Sequence, residues 1–314
     1  MSESIGGYFE LELENRNKLH ADGFFLNSAR NCLKHILIQK QYSKIHLPYY
    51  TCEVLLEPIK ELEIEYKFYH IDKDLNPIID FKIGNNETII FINYFGVKTR
   101  KIQRLTESFE NCIVDNSQAL FSNPIKGAHC FYSPRKFIGI PDGGILFSPT
   151  ERISYDIDHS INRASHLLMR LDSSAEKGYN LFVENDLKLV NLQIRRMSKL
   201  TRAIYNNANL EENNSIRNTN FNYLHSKLGE LNNLSFNAEI DGPMVYPLFI
   251  ENGFEIRKRL LESKVYTATY WNNILSYIPD NSLEISLVNN LVALPVDQRI
   301  TKDMLDKIIK IVFG

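Results

Sequence analysis

A large, mostly parallel α/β sheet domain followed by a smaller α/β domain is the fold class this sequence predicts. Three observations predict it. Short β-rich runs alternate with helical patterns through the first half, as parallel strands joined by crossover helices do. A proline-free stretch from about 151 to 205 then reads as helix. Beyond it, strand-like and helix-like segments return in a compact βαβ-like tail.

The elements follow in order. FFLNSARN (24–31) runs from an apolar stretch into a helix start at Asn27–Ser28–Ala29–Arg30, and SARNCLKHILIQK (28–40) carries a helical pattern. IEYKFYHI (63–70), TIIFINYF (88–95), NCIVD (111–115), HCFYS (129–133) and GILFS (144–148) are β-rich. KIQRLTESFE (101–110) is helical between two of them. The asparagine-rich NNANLEENNSIRNTN (206–220) reads either as a loop or as the start of another helix. The tail comprises MVYPLFI (244–250), GFEIRKRLLESK (253–264), NLVALPVD (290–297) and a closing helix at 301–314, with Thr301 and Asp303 marking its start. The expected division is a large domain with a helical connector over 1–205 and a small domain over 206–314.

Composition narrows the function classes. The 314 residues can bury a substantial core, and 44% hydrophobic with 24% charged residues is ordinary for a folded protein. A net charge of −2 provides no basic field, which argues against nucleic acid or an anionic membrane as partner. No apolar run is long enough to span a bilayer, and the first twenty residues carry acids where a signal peptide needs an apolar stretch. A cytoplasmic protein is expected. Cys32, Cys52, Cys112 and Cys130 are scattered, without C-x-x-C spacing or nearby histidines, so free thiols are expected and no metal site.

In open parallel sheets, ligands sit beyond the carboxyl ends of the strands. That rule selects Asp115 with Gln118 after NCIVD, Ser133 with Arg135 and Lys136 after HCFYS, and Ser28–Ala29–Arg30 at the first helix start. Each has a plain structural alternative. Asp115 can be a turn former, Arg135 and Lys136 a solvated pair, Asn27–Ser28 a helix cap, and Gly143–Gly144 a hairpin turn. Together they meet one chemical demand. A helix start takes a phosphate, a confined lysine forms a Schiff base with an aldehyde, and a carboxylate keeps a pyridine nitrogen protonated. Those are the three handles of pyridoxal phosphate.

With these motifs in this order, the chain resembles the DegT/DnrJ/EryC1/StrS family of pyridoxal-phosphate-dependent sugar aminotransferases over nearly its whole length. The likeness is carried by LNSARNCL, LPYYTCEVLLEPI (47–59), IVDNSQAL (113–120), YSPRKFIGIPDGGIL, YPLFI (246–250), TATYW (267–271) and LPVDQRITKDML (294–305). The resemblance implies a fold type I architecture like that of aspartate aminotransferase. It implies that Lys136 forms the internal aldimine and shuttles the substrate proton, with a pyridoxamine phosphate intermediate between half-reactions. Asp115 would pair with the pyridinium nitrogen and Gln118 would sit near the ring hydroxyl. Ser133, Ser28 and the amides of Ala29 and Arg30 would hold the phosphate, and Tyr50 or Cys52 would face the ring. Tyr94 and Trp271 would line the substrate mouth, with core packing as the alternative for either. The family implies a homodimer, a keto-sugar nucleotide as acceptor, glutamate as donor, and a role in polysaccharide biosynthesis. Two departures bear on this. Only two residues separate Ser133 from Lys136, and SARN stands where many relatives place Gly and Thr. A pyridoxal-phosphate sugar dehydratase is one alternative, disfavoured by the retained lysine. A non-catalytic sugar-nucleotide binder on the same fold is the other.

Overall fold

The computed structural model describes residues 5–236 and 240–314. Nine strands and ten α-helices are present among them. The strands are β1 (Phe24–Leu26), β2 (Lys44–Pro48), β3 (Glu65–Tyr69), β4 (Glu87–Ile92), β5 (Cys112–Asn116), β6 (His129–Tyr132), β7 (Gly144–Phe147), β8 (Val245–Phe249) and β9 (Leu291–Pro295). The helices are α1 (Ala29–Lys40), α2 (Leu56–Glu61), α3 (Thr99–Thr106), α4 (Ser165–Asp172), α5 (Ala175–Lys188), α6 (Lys199–Asn207), α7 (Leu210–Leu228), α8 (Gly253–Glu262), α9 (Leu283–Asn290) and α10 (Lys302–Phe313).

The first seven strands form one sheet in the order β1-β7-β6-β5-β4-β2-β3. Strands β2 to β6 pair in parallel, while β7 runs antiparallel to both β6 and β1. Its central strands carry apolar runs between polar ends: Ile89, Ile90, Phe91, Ile113, Val114, Cys130 and Phe131 are buried, with Asp115 and Asn116 closing β5. Strands buried on both faces read as continuous apolar runs, and these do. Leu33, Ile36 and Leu37 of α1 close the same core. The second sheet pairs β8 with β9, antiparallel from Val245↔Pro295 to Phe249↔Leu291. Around it Leu224 and Leu228 of α7, Leu260 of α8, and Leu305 and Ile308 of α10 build a second core.

Two expectations need correction and two open alternatives are resolved. The tail is not a parallel βαβ unit, because β8 and β9 are antiparallel. The 151–205 stretch is not continuous helix: α4 and α5 form a hairpin broken at Ser173–Ser174, and irregular chain joins α5 to α6. Ser174 caps α5 by accepting the Lys177 amide, a local competitor that ends one helix and starts the next. The asparagine-rich segment takes its helical alternative, with Asn209 capping α7 through the Glu212 amide. Gly143–Gly144 is no hairpin turn. The β6–β7 connection spans residues 133–143 and carries the lysine within it. The closing helix is capped as expected, Thr301 Oγ1 accepting from the Met304 amide at 3.4 Å.

Candidate active site

Strand direction gathers the predicted residues on one edge of the large sheet. β2, β4, β5 and β6 all end there, β7 begins there, and β1 leads from it into α1. Register aligns Ile92 with Asp115, Asp115 with Phe131, and Leu26 with Gly144. The segments Tyr49–Cys52, Asn93–Gly96, Asp115–Gln118, Ser133–Lys136 and Asn27–Arg30 therefore leave the sheet side by side.

Asp115 is buried and its Oδ1 accepts the Ser117 amide at 2.7 Å. Burial pushes its carboxyl above the usual carboxylate range, against the opposing pull of the Lys136 charge and the Ser117 hydrogen bonds. Gln118 is also buried; its Oε1 accepts the Phe95 amide at 2.9 Å, while its Nε2 is buried without a partner among the described residues. Lys136 ends a single turn of 3₁₀ helix, Pro134–Lys136, in which its amide donates to the Ser133 carbonyl at 3.1 Å. Its side chain is exposed, and its ammonium enters no hydrogen bond or ion pair among the described residues. Arg135 points the other way, onto Asp186 of α5 and the Phe182 ring. The two adjacent cations are thus sorted: one is neutralised by α5, and the other faces the Asp115 carboxylate.

At the start of α1, the Ser28 hydroxyl accepts the Asn31 amide at 3.1 Å and the Ser28 carbonyl takes the Cys32 amide. The amides of Ala29 and Arg30 belong to the first turn, which has no intrahelical acceptors. The Arg30 guanidinium turns away, its Nε 2.9 Å from Glu57 and its Nη1 on the Leu189 carbonyl. Arg30 therefore offers its backbone rather than its charge. Gly144 allows the helix to sit this close, since a Cβ there would lie 2.4 Å from the Ser28 carbonyl and 2.5 Å from the Ala29 nitrogen. Neither backbone can retreat. Gly144→Ala is expected to destabilise the protein by about 1–3 kcal/mol, the scale of overpacking. The midpoint of urea unfolding checks this.

Behind the turn, Asp142 is fully buried and holds three groups. It accepts from Ser160 at 2.5 Å, Thr201 at 2.6 Å and Arg163 Nε at 2.7 Å. Arg163 also donates to Asp158 at 2.8 Å, and Asp158 accepts from Asn27 at 3.0 Å. This network ties the lysine loop to α6 and to the residue before the α1 cap. Asp142→Ala would leave a largely buried guanidinium without one of its two carboxylates, and a loss of about 3–5 kcal/mol in stability is expected. Thermal unfolding measures it.

The remaining candidates divide. Cys52 lies beside Lys136, whose charge opposes the upward push of burial on the thiol. Tyr50 is fully buried, edge-on to Trp271 at 4.7 Å. Tyr94 takes its core alternative, buried with its hydroxyl donating to the Tyr50 carbonyl at 2.8 Å. Trp271 is half-buried against both tyrosines. Ser133 is buried with its carbonyl spent on Lys136. A cleft of 1160 Å³ opens between the start of α5, α8 and residues 266–272, lined by Arg170, Lys258, Tyr179 and Tyr266. None of the sheet-edge residues lines it. Arg217 and Gln298 were not singled out by sequence, although both reach the residue after Lys136.

No protein-family model matches the chain, and no curated protein matches it. Solved structures do. DesV from S. venezuelae, in complex with a ketimine intermediate, is similar over 92% of this chain and 83% of its own, with 15% identity and a TM-score of 0.69. A DegT DnrJ EryC1 StrS aminotransferase from Brucella abortus matches over 93% and 85%, with 16% identity and a TM-score of 0.68. NtdA from Bacillus subtilis, with bound cofactor PMP, matches over 93% and 72%, with 13% identity and a TM-score of 0.66. Likeness of this extent at such low identity is likeness of backbone, and it agrees with the seven-stranded, mostly parallel sheet and the smaller two-stranded sheet. The chain has the fold type I architecture of the pyridoxal-phosphate-dependent aminotransferases.

Proposed function

We propose that this protein is a pyridoxal-phosphate-dependent aminotransferase of the DegT/DnrJ/EryC1/StrS type, moving an amino group from glutamate to a keto-sugar nucleotide. The observation that carries the proposal is a buried carboxylate and an uncommitted lysine at neighbouring strand ends, beside an open helix start. The residues fit the cofactor on three counts. Asp115 is a buried carboxylate whose burial is costly without a cation. Gln118 Nε2 is a buried donor lacking an acceptor. The Gly144 gap lets the first turn of α1 pack against the start of β7, and a helix N-terminus placed beside the lysine turn favours a phosphate.

Bound here, the cofactor supplies an aldehyde carbon and a ring that accepts electron density. The protein's share is positional. Asp115 would hold a proton on the ring nitrogen, because its charge favours the cationic form. Gln118 Nε2 would donate toward the ring hydroxyl. The amides of Ala29 and Arg30, with Ser133 and Ser28, would hold the phosphate. Lys136 Nζ would hold the aldehyde carbon, with water as the leaving group, and would move the proton at the reacting carbon. Cys52 would be the residue facing the ring.

Several features support the assembly and setting we infer. The α4–α5 hairpin exposes Leu168, Leu171, Tyr179 and Leu187, each more than 60% exposed. The same hairpin holds the lysine loop through Asn185 to the Pro141 carbonyl and Asp186 to Arg135. An apolar face continuous with the site is what a homodimer with shared sites requires, so a second copy is its occupant. The four cysteines are unpaired thiols, which supports a cytoplasmic setting. No helix among the described residues is long and apolar enough to cross a membrane. Glutamate as donor, the sugar nucleotide as acceptor and polysaccharide biosynthesis rest on the family resemblance.

A half-reaction tests the function. Glutamate with the cofactor-loaded protein should release 2-oxoglutarate stoichiometrically. A sugar dehydratase or a non-catalytic binder would release none.

A further inference from the structure

Arg217, on α7, is the largest fully buried side chain among the described residues. It makes no ion pair among the described residues; every hydrogen bond it donates goes to a neutral oxygen. Nη1 donates to the carbonyls of Pro243 and Met244 at 3.0 and 3.1 Å. Nη2 donates to the Phe137 carbonyl at 3.3 Å and to Gln298 Oε1 at 3.2 Å. Gln298 in turn donates from Nε2 to the same Phe137 carbonyl at 2.9 Å. The guanidinium also lies 4.8 Å from the centre of the Phe137 ring. Phe137 is the residue after Lys136, and its amide closes the lysine turn on the Pro134 carbonyl at 2.9 Å.

The other arm of the fork reaches Gln118. The Met244 carbonyl accepts from Arg217, and the Met244 amide donates to the Phe95 carbonyl at 2.8 Å. The Phe95 amide is the group that Gln118 Oε1 accepts. Phe95 is held at a φ of 55°, a left-handed conformation an aromatic residue keeps only when its surroundings enforce it. One planar cation therefore ties the turn bearing Lys136 to the loop orienting Gln118, through the chain leading into β8.

Stability alone is a poor reason for a buried arginine here. Replacing buried charges by apolar groups of similar volume is often neutral or stabilising. What an apolar side chain cannot do is fix three carbonyls in one plane. We propose that Arg217, with Gln298, is a positioning residue that sets where Lys136 stands relative to Gln118. The proposal rests on the aminotransferase reading for what Lys136 does, but the clamp itself is independent of it.

Two readouts on the full-length protein keep these apart. Hydrogen–deuterium exchange of the peptide spanning Ser133–Ile140 needs no cofactor. Arg217→Lys and Arg217→Gln should speed exchange of the turn amides about tenfold, on the order of one lost charge-assisted hydrogen bond. Gln298→Ala, at a half-buried position, should give a smaller acceleration in the same amides and guards against Arg217 variants that fail to fold. The second readout is capture of Lys136 by pyridoxal phosphate and borohydride, read by peptide mass spectrometry. Capture should fall about tenfold in the Arg217 variants relative to the other lysines. A turn that exchanges at the wild-type rate in every folded variant overturns the proposal. So does loosening confined to α7 and β8. Failure of the wild-type protein to be captured at Lys136 would defeat the aminotransferase reading and leave the exchange result to decide the clamp.

Discussion

Lys136→Ala is expected to abolish amino transfer while leaving the fold unchanged. The loss should be roughly 10³-fold or more, because one nitrogen acts both as nucleophile and as proton carrier. Lys136 stands exposed, with no hydrogen bond or ion pair among the described residues, and supports the fold only through its partial offset of the buried Asp115 charge. Surface substitutions of that kind stay within about 0.5 kcal/mol, and the lost offset adds a small cost where Asp115 is ionised. The variant should therefore fold and melt close to the wild type, and not above it. Borohydride reduction with pyridoxal phosphate should place the dominant adduct on Lys136 of the wild type, and the variant should keep only the background shared by its other lysines. Turnover retained in a folded Lys136→Ala protein would refute the mechanism. A dominant adduct on another lysine would relocate the site.

Much of this arrangement was legible in the sequence, for a definite reason. Asp115, Gln118, Ser133 and Lys136 each lie within a few residues of a strand end, and the parallel topology carries all those ends to one edge. Local pattern plus one topological rule was enough. What remained hidden depends on long separations or short elements. β1 has three residues, too few for an alternating pattern to register. The α4–α5 break lacked proline, and only Ser173–Ser174 ahead of Glu176 signalled it. Arg217 reaches Phe137 across 80 residues of chain, and nothing near either one announces the contact. The Gly143–Gly144 pair was visible but ambiguous. Its purpose is a close approach between β7 and α1, which becomes apparent only once the two elements are placed together.

The Gly-Gly pair also bears on the two departures in the phosphate region. With Arg30 turned onto Glu57 and Leu189, substituting arginine for a small residue adds no charge to the helix start. In the proposed site the backbone amides rather than the Arg30 charge would meet the phosphate. The short spacing between Ser133 and Lys136 is accommodated by a tight 3₁₀ turn that begins at Pro134, which removes an amide the turn would not have used.

Asp115→Asn should show opposite effects on stability and on activity. Burial raises the Asp115 carboxyl pKa in the folded protein, so between the ordinary carboxylate range and that raised value the folded state binds more protons than the unfolded one. Stability conferred by this residue is therefore present at low pH and lost as pH rises through the folded pKa. Lys136 and the Ser117 amide offset only part of that cost. Asparagine keeps the Oδ1 acceptor for Ser117 and removes the charge. The cofactor-free variant should thus melt at or above the wild-type temperature at pH 8, with less dependence on pH between 5 and 8. Activity should move the other way, falling roughly 10²–10³-fold, the scale of losing one preorganised charge in a dry site. Pyridoxal phosphate should also stabilise the variant less than the wild type, since in the proposed site the protonated ring would be the cation that offsets the buried carboxylate. Calorimetry with and without cofactor, at both pH values, measures each arm. A variant that melts well below the wild type without cofactor would mean Asp115 serves the fold. Turnover within about twofold of wild type would mean that the carboxylate does not hold the ring nitrogen.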